Sequence, residues 1–318
     1  MLAKNRFSST HSVVHPMRMT SLSRRAICLA VTFFLGAAIP AYARDTATFQ
    51  PLNSPATAIH CPGKFVWADL FTTDPAAATK FYCGLFGWTA NTIAQSGRTY
   101  TVFSNGSRPV AGLAPRPLSR ANRPSRWIGY IAVTDMTATL KLVTKAGGLV
   151  RAGARDFPQR GVQAIVADNE GSTVGLLQSS SGESADDEPK VGDFNWFELF
   201  VEQPQIVSDF YRQVINYDVA PDLRTERKND FVLSSVGLAR AGVAPIPDRE
   251  DAKPGWLGVV RVANLDEALA RAAKLGGEVV MTPREAAFGS RFAIVADSTG
   301  GTLGLVEYMD NANPANRP

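Results

Sequence analysis

Between residues 65 and 71 the chain reads FVWADLF, a two-residue alternation that places Phe65, Trp67, Asp69 and Phe71 on one face of a strand. Val66, Ala68 and Leu70 fall on the other face. The period then changes. Asp74 and Pro75 supply an N-cap and a proline at the first helical position, and Phe81 and Leu85 fall four apart on one helical face. A second strand opens at Trp127 with WIGYIAV and leads into a helix that starts at Asp135 and stops at Gly147 and Gly148. Strands follow at 162–167 and 173–178, joined by a turn over Asp168, Asn169, Glu170 and Gly171.

The whole pattern occurs twice. A shift of 129 residues superposes 63–88, GKFVWADLFTTDPAAATKFYCGLFGW, on 192–217, GDFNWFELFVEQPQIVSDFYRQVINY. Both copies keep F-x-W-x-[DE]-L-F, a proline and a Phe-Tyr pair, so Glu198 repeats Asp69. Further on, AGLAP at 111–115 matches AGVAP at 241–245, Trp127 matches Trp256, and AIVAD at 164–168 recurs at 293–297. In the second copy Val207, Phe210, Tyr211 and Val214 have helical spacing. Asn264 and Glu267 form a capping box ahead of the stripe Leu265, Ala268, Leu269, Ala272 and Leu275, and Gly276 ends it. A period this long denotes two homologous domains and not a solenoid. The fold class predicted is α+β: two tandem domains, each a pair of βαβββ modules forming an open, curved mixed sheet. The boundaries expected are 62–180 for domain 1, a polar, acidic linker at 181–191, 192–309 for domain 2, and a disordered tail at 310–318.

A length of 318 residues agrees with two domains. The formal charge of +4 and a pI near 9.0 suggest a nucleic-acid or membrane partner until the basic residues are located. Residues 1–43 hold five of them and no acid; without that segment 28 basic residues face 29 acidic ones. No nucleic-acid partner is therefore expected. The same segment places Arg24 and Arg25 before an apolar run from Ala26 to Ile39 and ends in Ala41, Tyr42 and Ala43. This is the pattern of an export signal cleaved after Ala43, which predicts a periplasmic or extracellular protein. The run is shorter than the ~18 to 20 residues of a spanning helix, so no stable membrane anchor is expected. Ser23, Arg24 and Arg25 fit a twin-arginine signal loosely, leaving the Sec and twin-arginine routes open, and Met17 or Met19 would give a signal of ordinary length. Cleavage leaves His60, Cys61 and Cys83. Export permits a disulfide between the two cysteines, but spacing does not fix its geometry, and two separate thiols are the favoured reading.

Four βαβββ-like units in two pairs, with a Phe-Tyr pair after the first strand and D-x-x-G before the last, resemble the vicinal oxygen chelate superfamily. That group includes glyoxalase I, bleomycin-resistance proteins, extradiol dioxygenases and methylmalonyl-CoA epimerase. The resemblance covers nearly all of 62–309 and looks most like tandem glyoxalase-like proteins. It implies a divalent ion in the mouth of each open barrel, bound by His, Gln or Glu on the first and last strands of each unit. Those positions carry Trp67, Ile128 and Gly175, with Gly112 nearby, in the first domain. In the second they carry Trp196, Leu257 and Gly304, with Gly242 nearby. None of these side chains binds a metal, and no histidine but His60 remains, so no metal and no other cofactor is expected.

Trp67 stands where the resemblance places an inward ligand, so its face should line a cavity, together with Asp69, Phe65 and Phe71. Phe194, Trp196, Glu198 and Phe200 repeat the arrangement, and Thr173 and Thr302 share a face with Gly175 and Gly304. Asp69 and Glu198 are candidate general bases or polar anchors for a ligand stacked on tryptophan, since desolvation raises a carboxyl pKa toward useful values. The competing account makes them bracing acids, held by backbone amides or by an arginine such as Arg126 or Arg261. Trp127 and Trp256 fall on the opposite strand face and are expected in the core, whereas Gln178 and Glu307 are expected to face solvent. No G-x-S-x-G elbow, phosphate-binding loop, dinucleotide fingerprint or C-x-x-C is present. The expected function is binding of a small, aromatic or planar molecule in metal-free cups by a monomer with two pseudo-symmetric domains, or a homodimer. The alternatives are a lyase, isomerase or dioxygenase-type enzyme using a carboxylate base or an atypical metal site, and a scaffold that binds nothing.

Overall fold

The computed structural model describes residues 49–95, 98–116, 124–225, 228–248, 253–286 and 289–308. The expected export signal, 1–43, and the expected disordered tail, 310–318, lie outside the described residues. Domain 1 runs β1 (Phe65–Thr72), α1 (Pro75–Phe86), β2 (Thr89–Gln95), β3 (Arg98–Asn105), β4 (Arg108–Pro115), β5 (Arg126–Ala132), α2 (Met136–Lys145), β6 (Leu149–Phe157), β7 (Gly161–Ala167) and β8 (Thr173–Ser179). Domain 2 repeats this as β9 (Phe194–Val201), α3 (Pro204–Ile215), β10 (Asp218–Pro221), β11 (Phe231–Ser235), β12 (Leu238–Pro245), β13 (Gly255–Arg261), α4 (Leu265–Lys274), β14 (Glu278–Glu285), β15 (Arg291–Ala296) and β16 (Thr302–Glu307). Each domain forms an open eight-stranded mixed sheet, in the orders β2-β3-β4-β1-β5-β8-β7-β6 and β10-β11-β12-β9-β13-β16-β15-β14. The α+β tandem architecture is as the sequence predicts.

Short-range chemistry starts the helices where expected. Asp74, Asp135 and Asn264 accept from the backbone amides of Ala77, Ala138 and Glu267, satisfying donors that a helix leaves open at its first turn. Helix α3 lacks a capping side chain of its own. Glu170, in the β7–β8 turn of the other domain, instead pins the chain just ahead of the helix by accepting from the amides of Glu202 (2.8 Å) and Gln203 (2.7 Å). Gln178 and Glu307 are half-buried and not turned to solvent, because each accepts from the first amide of a helix, Met136 or Leu265.

The two sheets share their cores. One cluster joins α1 and the inner face of β1, through Phe81, Tyr82 and Leu70, to α4 and β16, through Leu265, Ala272 and Leu305. The other joins Ile131, Val143 and Leu176 of domain 1 to Val207, Phe210 and Val243 of domain 2. Phe65 stacks on Phe197 at 4.0 Å between ring centroids and meets Trp256 edge-on at 5.1 Å.

That contact corrects one expectation. A bulge in β1, between Phe65 and Trp67, and its repeat between Phe194 and Trp196 insert one residue into the alternation. Phe65 and Phe194 therefore turn toward the other domain, and Val66 takes Phe65's place on the cavity side. Trp127 and Trp256 face the shared cores as expected. The linker is packed, in contrast to its polar composition: Ser181 and Glu183 are buried beneath the segment that precedes β1. Thr57 donates its amide to Ser181 O and Cys61 donates its amide to Glu183 Oε2. The two cysteines are separate thiols, Cys61 on this segment and Cys83 on α1.

Candidate functional site

The sheet face turned away from the shared cores, the cup face, carries the candidate residues of each domain. In domain 1 the parallel pairing of β1 with β4 and the antiparallel pairing with β5 set Asp69 between Gly112 and Ile128. Asp69 Oδ1 accepts from Trp67 Nε1 at 2.8 Å and from the Tyr100 hydroxyl at 2.6 Å. The Tyr130 phenol faces the same carboxyl. Burial pushes the Asp69 pKa above the usual carboxylate range, against the opposing pull of Tyr100, Arg160 and Trp67. Arg160, from the β6–β7 turn, is fully buried and lays its guanidinium over the Trp67 ring, 4.0 Å from the centroid. Phe49 and Leu52, from the segment before β1, close the cup.

The domain 2 cup has the same clasp and a different cover. Trp196 Nε1 donates to Glu198 Oε2 at 2.8 Å, and Glu198 lies between Gly242 and Leu257. The duplicated W-x-[DE] thus makes an indole-to-carboxylate hydrogen bond along one strand face in both copies. Arg224 sits over Trp196 at 5.3 Å and is itself held by the Asp222 carboxylate. Trp196, Glu198 and Phe200 are partly exposed, whereas Trp67 and Asp69 are each only 5% exposed.

The remaining shared residues lie between the domains. Trp127 Nε1 donates to the Tyr82 hydroxyl (2.9 Å), which donates to Gly301 O (3.1 Å) in the turn after Asp297. Reciprocally, Trp256 Nε1 donates to the Tyr211 hydroxyl (2.9 Å), which donates to Asp168 Oδ2 (3.2 Å). Asp168 also accepts from the amides of Glu170 and Ser172, and burial raises its pKa to about 6. Each relay starts on a tryptophan and tyrosine of one domain and ends on a D-x-x-G turn of the other. These motif residues hold the two halves together.

The family profile of the Glyoxalase/Bleomycin resistance protein/Dioxygenase superfamily matches twice, over residues 64–176 and 193–304. The chain belongs to that superfamily. Relatives of this superfamily protein include CFP32 of Mycobacterium tuberculosis (strain CDC 1551 / Oshkosh), 31% identical over 76% of this chain and 93% of that protein. Another is the anthracycline biosynthesis protein DauV of Streptomyces sp. (strain C5), 31% identical over 80% of this chain and 96% of its own length. The Mn(II)-bound glyoxalase from Novosphingobium aromaticivorans shares the fold, with a TM-score of 0.53 at 14% identity over 80% of this chain and 86% of that one.

A superfamily metal does not fit the donors these cups offer. At Gly112, where a ligand side chain would project, the space is taken by the Tyr100 hydroxyl and Asp69 Oδ1; at Gly175 it is taken by the Tyr130 ring. Glu198 fills the same place at Gly242, and Phe292 does so at Gly304. Each cup strand then offers one carboxylate, already engaged by an indole, where a divalent ion needs several nitrogen or oxygen donors. Among the described residues no three His, Cys, Asp or Glu side chains gather into a metal-binding group.

Of the residues singled out in the sequence, Trp67, Asp69 and Phe71 meet in the first cup, with Thr173 half-buried at the start of β8. Trp196, Glu198 and Phe200 share a face in the second. Thr302 is half-buried at the start of β16, with its hydroxyl 3.4 Å from Gly300 O. Phe65 and Phe194 belong to the domain interface, as described above. Arg126 is exposed and Arg261 bonds Glu188 and Pro189 O, so neither braces a cup acid. Tyr100, Tyr130, Arg160 and Arg224 complete the cups in their place. Strand phase could have found the tyrosines; Arg160 and Arg224 sit in connections whose reach no local pattern predicts.

Proposed function

We propose that this is an exported superfamily protein that works without a resident metal and binds a small planar or aromatic molecule in its domain 2 cup. Trp196 would be the stacking surface, Glu198 the polar anchor, and Phe200 and Thr302 rim residues. The observation that carries this reading is the difference between the cups. Trp196 and Glu198 of β9 are partly exposed, whereas their counterparts on β1, Trp67 and Asp69, are buried, with the chain's own Phe49 and Leu52 packed against that face. A partly exposed indole beside a guanidinium and a carboxylate offers a planar molecule apolar area plus a directional donor and a directional acceptor, the usual make-up of a small-molecule site. DauV is named for anthracycline biosynthesis, and anthracyclines are planar and polycyclic, which supports the same ligand class. Export rests on the pattern of residues 1–43, and the metal-free state on the donors at the ligand positions.

The test is equilibrium binding of naphthoquinone and anthraquinone carboxamides to the mature protein, with metal content measured on the same sample. Binding should be lost in Trp196→Ala and weakened about tenfold in Glu198→Gln. Equal affinity in wild type and Trp196→Ala would overturn the site. Stoichiometric Fe, Mn, Ni or Zn held through dialysis would overturn the metal-free reading.

A further inference from the structure

The first cup contains a cation that the fold leaves unsatisfied. Arg160 is 0% exposed; its Nε donates to Gln50 O at 2.6 Å, but Nη1 and Nη2 have no hydrogen-bond partner. A buried guanidinium with two unpartnered nitrogens is destabilising by several kcal/mol unless something supplies acceptors. Asp69 does not supply them, since no ion pair or hydrogen bond joins it to Arg160; its Oδ1 is engaged by Trp67 and Tyr100. The Trp67 ring meets the guanidinium face at 4.0 Å, but a ring face supplies no acceptor in the plane where the Nη hydrogens point.

What covers this cation is a piece of the chain with the form of a ligand. Phe49 puts its ring edge-on to Tyr100 at 4.5 Å and to Phe157 at 4.8 Å, and the next residue presents a carbonyl oxygen to the guanidinium. An aromatic ring is thus followed, one short spacer away, by an oxygen acceptor on an arginine. The anchors of this segment lie elsewhere: Asn53 donates to Ser181 Oγ and Gly182 O, and Thr57 to Ser181 O and Glu183 O. None of these anchoring bonds involves residues 49–50.

We propose that the domain 1 cup is a second binding site, for a small aryl carboxylate, and that Phe49 and Gln50 occupy it as an internal competitor. The aryl ring takes the place of the Phe49 side chain. The carboxylate supplies the two parallel acceptors that the planar Arg160 fork lacks. Because the segment and the ligand compete, the apparent affinity of the resting protein is reduced by the fraction of molecules in which the cup is open.

The experiment uses the full mature chain in a Trp196→Ala background, so that binding in the domain 2 cup cannot contribute and the two readings fail separately. Probes are 3-phenylpropionate and its neutral amide, titrated by calorimetry. Phe49→Ala should bind 3-phenylpropionate about tenfold or more tightly than its parent, and the amide far less. Adding Arg160→Lys, which keeps the charge but loses the fork, should cancel that gain. Unchanged affinity on Phe49→Ala, or a gain shared equally by the amide, overturns the proposal. Should the Arg160 variant fail to fold, the acid-against-amide comparison in Phe49→Ala alone decides.

Discussion

Asp168 sits at the end of the relay from Trp256 and Tyr211, and its burial raises its pKa from 3.8 to about 6. The sign follows from proton counting. Between pH 3.8 and 6 the folded protein holds a proton on Asp168 that the unfolded chain has released, so this group's contribution to stability falls as pH rises through that window and is level above it. A shift of about two units at 1.36 kcal/mol each amounts to about 3 kcal/mol. Asp168→Asn removes the titration and retains a side-chain oxygen for the amides of Glu170 and Ser172, with an amide group toward Tyr211. Urea denaturation followed by tryptophan emission at several values from pH 4 to 7.5 measures it. Asp69 is shifted in the same direction, so the informative quantity is the difference between variant and wild type. Asp186, held down at about 2 chiefly by Arg240, loses its contribution only below that range. The variant should gain about 2.5 kcal/mol relative to wild type on going from pH 4 to pH 7, the remainder lying below pH 4 where the unfolded carboxyl also protonates. A difference that is flat across this range, or that slopes the other way, would refute the account of Asp168 as a desolvated acid.

Three further outcomes are expected. Gly112→Ala should lower stability by about 2 kcal/mol or more, seen as a fall in the urea midpoint, because a methyl there collides with the Tyr100 hydroxyl and Asp69 Oδ1. A fragment spanning residues 192–308 should show no cooperative unfolding transition by circular dichroism, since both of its cores are completed by domain 1; a sharp transition would show that the halves fold alone. Glu170→Ala should lower stability by about 1 kcal/mol by freeing the two amides that lead into α3, measurable as a lower melting temperature at pH 7.

The duplication, the modules and the helix starts were all legible, because each depends on residues close in sequence: a cap three positions from its amide, an alternation along one strand. The core-facing phase of Trp127 and Trp256 was legible for the same reason. Phe65 was misplaced because a bulge is a pairing event between two strands, and one extra residue reverses the phase on its far side. The clasp between Trp67 and Asp69 was half visible, as two residues on one face; that they bond each other required side-chain rotamers. Arg160 reaches the Trp67 ring across 93 positions of sequence, and Phe49 reaches Tyr100 across 51, so neither leaves a local trace.

The crossed relays bear on how the two copies can drift apart. A tryptophan and tyrosine in either half answer to a turn in the opposite half, so a change at one of these positions is felt across the interface and not where it occurs. The cups carry no such reciprocal obligation. One copy could therefore accept a covering segment and a buried cation while the other kept an open face, and the pair could come to serve two different ligands without renegotiating the joint between them.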